Sequence, residues 1–448
     1  MALVGVICLL SGARAQSDLT SPYSIFGPGI SNQRQSVAQF TMGGSGVAIT
    51  DPYRMNLINP AASAYYLEPI FETAGKGNVS SFETNIDQFE NRNFEINNLS
   101  LSFPIKRGKW SLNLGIVPAT SVGYDVNVSQ ETEEIGTYQA SYFGDGGISQ
   151  GYFGSGLNIY HKEDTAKNYT NLSLGGQLNF NFGTITNNRR ISYPDDFDAL
   201  GFEDSESILM RDVNFEVGLH AETNLKKKTI TNPSHVKLQI GAVYAFGNEI
   251  NAEQNRFAYN FRLSSNSTVL PQDTIESSVQ QKGTVTLPSS FTVGTTIDII
   301  NRKKMRFRWS IDYSFTNWAD YDVNFDGTVL RADFNDSQRL NTGIEWTPRS
   351  GGTSYLETVQ YRAGFRYEKT NLTLKNQEID DIGMSFGLTF PLHFRRGISK
   401  SAFHMGAEYG EYGTTNEGLI KETYTRILVG FSFTPHFRNR WFVQPKYD

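Results

Sequence analysis

The sequence is nearly devoid of cysteine: Cys8 is the only one in 448 residues. It lies in the apolar run Met1 to Leu10, which is followed by Ser11-Gly12-Ala13-Arg14-Ala15, a cleavage pattern of the A-x-A type. Residues 1–15 therefore read as a signal peptide that is removed. The usual positive n-region is missing, so a start further upstream or a short buried helix stays open as a competing reading. Ile7 stands before Cys8 where a lipoprotein site needs a small residue. From Gln16 onward there is no thiol, which excludes disulfides, zinc–thiolate sites and cysteine nucleophiles together.

Long apolar runs are missing as well. After residue 15 no stretch approaches the roughly 18 apolar residues of a membrane helix. Excess positive charge is also lacking: the formal net charge is −6, one unit lower without Arg14, which argues against nucleic acid as a partner. There is no G-x-S-x-G elbow, P-loop, H-E-x-x-H or dinucleotide fingerprint. None of the 6 histidines is paired at i, i+4 spacing, and the carboxylates show no spacing that selects an acid–base pair. The expectation is a protein that is not an enzyme and carries no cofactor. No Pro/Ser-rich linker, charge block or composition shift divides the chain, so one large architecture is the simpler reading.

What the chain does contain is Gly (41), Phe (31) and Tyr (22) in quantity, arranged with period two. Leu99, Leu101, Phe103 and Ile105 alternate with Ser100, Ser102 and Pro104, and the same alternation recurs in Leu172, Leu174, Leu178, Phe180, Phe182 and in Ile427, Val429, Phe431, Phe433. A barrel wall has this character, because its lumen-facing residues dilute each strand to a half-apolar pattern. Strands parse near 69–80, 97–106, 110–129, 148–160, 171–184, 211–223, 235–248, 284–298, 304–318, 337–347, 355–369, 379–392, 401–412 and 421–433. The fold class expected is all-β, a transmembrane antiparallel β-barrel of about 14 strands. Short basic connections such as Lys106-Arg107-Gly108-Lys109 and Arg302-Lys303-Lys304 are assigned to the periplasmic side. Longer ones, including the acidic Asp195, Asp196, Asp198, Glu203, Asp204 and Glu206, are assigned outside. An even strand count then puts both barrel ends in the periplasm.

The segment from Gln16 to Leu67 differs. Gly43, Gly44 and Gly46 permit positive φ and close backbone approach, as a compact plug needs. Asn59-Pro60 marks a turn that opens a short helix at Ala61. An ordinary N-terminal tail is the plainer reading. The domain division expected is 1–15 signal peptide, 16–67 hatch folded into the lumen, 68–434 barrel and 435–448 a C-terminal periplasmic tail.

At this point the chain resembles the FadL-type long-chain fatty acid transporters, in the form common in Bacteroidota-like bacteria. The resemblance rests on the order of Tyr23-Ser24-x-Phe26-Gly27, the Met42-Gly43-Gly44 to Asn59-Pro60-Ala61 hatch, Gly146-Gly147-Ile148, Leu287-Pro288, Asp312-Tyr313-Ser314-Phe315-Thr316-Asn317-Trp318, Tyr361-Arg362-Ala363-Gly364, Phe390-Pro391-Leu392, Glu408-Tyr409-Gly410 and Arg440-Trp441-Phe442. It implies a fourteen-stranded barrel blocked by its hatch, with hydrophobic ligand captured outside and released laterally beside a kinked third strand. In this sequence Gly115-Ile116-Val117-Pro118 supplies the kink, since proline lacks the N–H that a ladder bond requires. Gly123 adds freedom just beyond it. Read without the family, Pro118 is a bulge at a barrel rim.

Asp322, Asn324, Asp326 and Asp333, with Gly327 between, match the spacing of a calcium loop. The last ligand should be Glu, and Asp326-Gly327 is equally a hairpin turn. Two functions stay open. One is uptake of hydrophobic small molecules, which needs an apolar tunnel and a displaceable hatch, with outer-membrane lipid as the receiving phase. The other is a barrel subunit or scaffold of a larger outer-membrane secretion or assembly complex, which tolerates a filled lumen and works through protein partners.

Overall fold

The computed structural model describes residues 20–84, 88–132, 136–164, 168–193, 199–229, 234–263, 268–325, 328–331, 334–350, 352, 354–392 and 400–435. Period-two sequence becomes strand almost throughout. After the two-residue β1 (Ile30–Ser31) come β2 (Ile70–Glu83), β3 (Gln88–Lys106), β4 (Trp110–Pro118), β5 (Thr120–Thr132), β6 (Gly136–Glu163), β7 (Tyr169–Ser192), β8 (Gly201–Lys226) and β9 (His235–Ala245). They are followed by β10 (Asn248–Leu263), β11 (Val269–Leu287), β12 (Ser290–Ile300), β13 (Arg306–Thr316), β14 (Asp322–Phe325), β15 (Thr328–Arg331) and β16 (Ser337–Thr347). The last four are β17 (Gln360–Leu374), β18 (Gln377–Pro391), β19 (Ala402–Gly413) and β20 (Lys421–Phe433).

Antiparallel pairing of β2 with β20, from Phe71↔Phe433 to Glu83↔Lys421, closes the sheet. With β4 and β5 as one kinked strand, and with β1, β10, β11, β14 and β15 outside the ring, this is a closed 14-stranded barrel. Along β7 the outward residues Leu172, Leu174, Leu178, Phe180 and Phe182 are exposed, while Ser173, Gln177, Asn179 and Asn181 are buried inside. An apolar exterior over a polar interior suits a wall surrounded by hydrocarbon, and it makes this a barrel of the bacterial outer membrane.

The wall is uneven in height. β9, β12, β13 and β16 have 11 residues each, but β6, β7 and β8 have 28, 24 and 26. A membrane crossing needs only about 9–11 residues per strand, so the tall side projects well beyond the bilayer. There β10 takes the place of β9 beside β8, pairing Ala252↔Met210 through Phe261↔Gly201, and β11 extends that sheet. Val122, Tyr124, Ile148, Ile185, Met210, Ile250 and Val285 pack with Trp318, Tyr321 and Phe325 from the β13–β16 connection, and hatch residue Ile25 packs against them. The projecting strands and the β13–β16 connection thus share one apolar core.

Three expectations change. The strand read as 284–298 is two, because Pro288 ends β11 and β12 starts anew at Ser290. Several segments taken as external loops are strand, the acidic one included. There Glu203 pairs with Arg190 at 2.7 Å and Asp204 with Arg256 at 3.0 Å, while Asp195, Asp196 and Asp198 lie outside the described residues. Finally, the outer connection between β17 and β18 is only Lys375-Asn376, both at positive φ (49° and 62°), as a tight hairpin turn demands. An epitope tag inserted between β7 and β8 is expected to be labelled by antibody on intact cells. Labelling only after permeabilisation would reverse the assigned orientation.

Candidate functional site: the plugged lumen and the break in its wall

Residues 20–67 run down the lumen and touch the wall on nearly every strand. The chain here is built from short caps and turns, so its backbone groups must find partners outside regular structure. Ser36 and Gln39 form a reciprocal capping box on the single turn Val37–Phe40. Asn59 caps the 3-10 turn Pro60–Tyr65, and its amide nitrogen donates to the carbonyls of Val47 and Leu219, both at 2.9 Å. Gly43, Gly44 and Gly46 have φ of 69°, 81° and 149°, conformations that L side chains rarely adopt.

The wall supplies acceptors and donors to this backbone. Asp312 Oδ2 on β13 accepts the N–H of Gly46 at 2.6 Å and of Val47 at 2.8 Å. Ser385 Oγ on β18 accepts the Gly43 N–H at 2.9 Å, and a ring nitrogen of His220 on β8 meets the Ala48 carbonyl at 2.9 Å. Arg34 Nη2 donates to both carboxylate oxygens of Glu216 on β8, at 2.7 and 2.9 Å. Tyr66 is fully buried and its hydroxyl accepts the Asn56 N–H at 2.7 Å; burial pushes its phenol upward, so it stays neutral.

Where hatch and wall approach most closely, the wall residue is glycine. A Cβ at Gly175 would lie 2.3 Å from the Ala61 nitrogen, one at Gly241 2.4 Å from the Val47 carbonyl oxygen, and one at Gly364 1.9 Å from the Gly43 nitrogen. Gly156, Gly218, Gly343 and Gly387 meet the hatch in the same way, and Gly156↔Gly175↔Gly218 are paired across adjacent strands. The sequence reading singled out only the hatch side of this contact. Its other half was visible as glycine recurring at inward positions of successive strands.

Below the hatch, buried charges link it to the wall. Glu345 on β16 receives Arg362 at 2.7 Å, Arg308 at 3.4 Å and Arg54 of the hatch at 3.5 Å, and Asp298 receives Arg306 at 2.6 Å. Above it, Arg366 pairs with Asp381 at 3.0 Å and Glu408 at 3.2 Å. Two cavities inside have mixed linings: one of ≈ 100 Å³ is bounded by Phe26, Ile30, Phe40, Pro118 and Trp318 as well as Lys76, Arg366 and Glu368, and another of ≈ 230 Å³ by Ile58, Val243 and Trp318 as well as Arg34, Glu216 and Arg339. Both fall below the ~300–1,000 Å³ of ordinary ligand pockets, which are mostly apolar.

Of the three residues expected at the kink, Pro118 ends β4 at an interruption of the wall, while Gly123 lies beyond it on β5 and Gly115 before it on β4. β3 pairs with β4 only from Leu99↔Ile116 downward, and β4 ends at Pro118. Beyond it the chain turns inward as β5, which pairs with hatch strand β1 through Ile30↔Ser121 and Ser31↔Thr120. The Gly123 carbonyl accepts from the backbone of Thr20 and Ser21, the Gly123 N–H donates to Ser24 Oγ, and the Ala119 carbonyl accepts from Asn32. The hatch thus covers the β5 edge of the break. Just below, on the outer face, Leu99, Leu114, Ile116, Phe153 and Phe180 line a groove of ≈ 400 Å³. Gly115 lies in the continuous part of the ladder, opposite Ser100 and Tyr152.

Of the calcium-loop residues, Asp322 and Asn324 are on β14, which pairs with β15 from Asp322↔Arg331 to Phe325↔Thr328. Asp322 accepts the Thr286 hydroxyl at 2.6 Å. Asp326 and Asp333 lie outside the described residues, and among the described residues no cluster of metal-ligating side chains occurs.

Comparison with solved structures gives the same fold in channels of low sequence identity. The "CymD monoaromatic hydrocarbon channel" is similar with TM-score 0.52 and 14% identity over 92% of this chain and 100% of that one. A Pseudomonas aeruginosa FadL homologue is similar with TM-score 0.54 and 10% identity over 91% and 99%. The Pseudomonas putida toluene transporter TodX is similar with TM-score 0.51 and 14% identity over 91% and 100%. A comparison with curated protein sequences gave no match. A family model described as BamG matches residues 1–448.

Proposed function

The chain belongs to the BamG family, and on that premise we propose that it is a closed barrel acting as a structural subunit of a larger outer-membrane assembly or secretion complex. The observation that carries this reading is the lumen. The hatch is bonded to the wall around its circumference, and buried ion pairs join the two. A conduit for hydrophobic molecules needs continuous apolar lining, and burying an apolar ligand against unscreened charges forfeits their hydration. The tall projecting wall, by contrast, offers area to protein partners. Purification from membranes in mild detergent is expected to yield the barrel in stoichiometric complex, and the isolated barrel to be silent in planar bilayers. A barrel that purifies alone and retains a hydrophobic tracer would overturn this reading.

Transport with lateral release is the second reading, favoured by the interruption at Pro118. A hydrophobic molecule passing directly into the bilayer keeps about 0.8 kcal/mol per methylene that release into water would lose. The hatch segment on β5 would then have to move. Residues directly opposite in an antiparallel pair have Cα atoms about 4.5–5.5 Å apart, within disulfide range, so the double variant Ile30→Cys/Ser121→Cys should lock that segment. If the barrel transports, tracer uptake falls at least roughly tenfold and reduction restores it. If the barrel is a closed subunit, growth and complex assembly are unchanged by the lock.

A further inference from the structure

On the other side of the break lies an edge that the hatch leaves uncovered. The outward face of β3 is apolar from Ile105 through Phe103, Leu101, Leu99 and Ile96 to Phe94, and is bounded by Lys106 below and the exposed Arg92 above. Phe94 and Ile96 are therefore at membrane level. They are 73% and 68% exposed, the highest values among the described large apolar side chains. Phe94 leans over Gly75 of β2, where no side chain competes for the space.

The backbone of this stretch is paired on one side only. Gly75↔Ile96 and Gly77↔Phe94 join it to β2, whereas pairing to β4 stops at Leu99, and among the described residues no strand adjoins Phe94–Asn98 on the side of the break. The register shift between Ala74 and Gly75 turns both Asn97 and Asn98 inward. The Asn97 side chain donates to the Gln35 carbonyl of the hatch at 3.0 Å, which covers the lumen side but leaves the strand edge itself open. In water an open edge is solvated. In hydrocarbon each unpaired N–H or C=O is costly, and acyl chains can satisfy none of them.

We propose that the open edge of β3, Phe94–Asn98, is the docking site for an extended strand of a different membrane protein of the complex, added antiparallel or parallel to complete the ladder. Only an extended polypeptide offers donors and acceptors at strand spacing. To match the two faces, the incoming strand presents apolar side chains beside Phe94 and Ile96 and polar ones beside Glu95 and Asn97. The proposal rests on the subunit reading and identifies the surface that the complex uses.

The test places p-benzoylphenylalanine at position 94 in whole cells, with position 386 as control, since Phe386 is also lipid-facing and 63% exposed but sits in continuous ladder. The expected result is an adduct at 94 mapping by mass spectrometry to one alternating apolar–polar segment of a co-purifying protein, with none from 386. Proline at whichever of Phe94, Glu95 or Ile96 directs its N–H into the break keeps the β2 ladder and should lower adduct yield roughly tenfold. Amide exchange gives a measurement without variants. Phe94–Asn98 should be protected in the extracted complex and exchange in the barrel alone, while Ile427–Gly430 stay protected in both. Adducts only to lipid or to a second copy, proline without effect, or equal exchange in both states would each overturn the docking site. A stable complex with no adduct at 94 refutes this site and leaves the subunit reading intact. A barrel that purifies without partners refutes both.

Discussion

Glu345→Ala is expected to lower the temperature at which the barrel loses its compact electrophoretic form further than removal of any exposed charge. Glu345 is 1% exposed and is the common partner of Arg362, Arg308 and hatch residue Arg54. Alanine leaves three guanidinium groups facing one another in a site with little water. Breaking a buried pair by removing one partner costs about 3–5 kcal/mol, because the remaining charge keeps its desolvation penalty. Glu345→Gln retains hydrogen-bonding atoms and should fall between alanine and the wild type. The reference is Arg92→Ala, whose pair with Glu90 is largely exposed and contributes ~0–1 kcal/mol. Equal transition temperatures for Glu345→Ala and Arg92→Ala would mean that the cluster does not join hatch to wall.

Gly175→Leu is expected to open the barrel to ions. The added Cβ falls 2.3 Å from the Ala61 nitrogen and 2.5 Å from the Pro60 carbonyl carbon, both backbone atoms that cannot rotate away. The wall strand is held by ladders on both sides, through Gly156↔Gly175 and Gly175↔Gly218, so the hatch is the element that yields. Its neighbour provides the control. A Cβ at Gly176 points to the outer face and meets nothing nearer than the Phe215 ring at 3.6 Å, so Gly176→Leu should insert and remain silent. Planar-bilayer recordings on both variants decide the matter. A silent Gly175→Leu barrel of normal heat stability would show that the hatch can shift without unsealing the lumen.

The two glycines also mark how far sequence reading reached. Period two separated Leu174 and Gly176 from Gly175 by face, and it located all 14 barrel strands. It could not say what Gly175 faces, because alternation records the side of the sheet and not the object packed against it. The hatch glycines were read from composition, and φ is positive at all three. The matching wall glycines come from strands far apart in sequence, and only closure of the barrel brings them into one band. Pro118 was identified as a place where the ladder stops. That the hatch then occupies the β5 side of the break and not the β3 side depends on the path of residues 20–35 through the lumen.

The alternation of apolar and polar side chains determined the strands, and the alternating short and long connections between them pointed to a closed sheet with one face in lipid. The absence of thiols and catalytic motifs narrowed the function classes. Which side chains meet inside the lumen was decided only by tertiary structure. Arg34, Arg54, Glu216, Asp312 and Glu345 are ordinary polar residues in the sequence, and their role arises from distances across the barrel that no local pattern encodes. Electrostatic and packing contacts between segments hundreds of residues apart depend on shear and closure, which the period of a single strand does not contain.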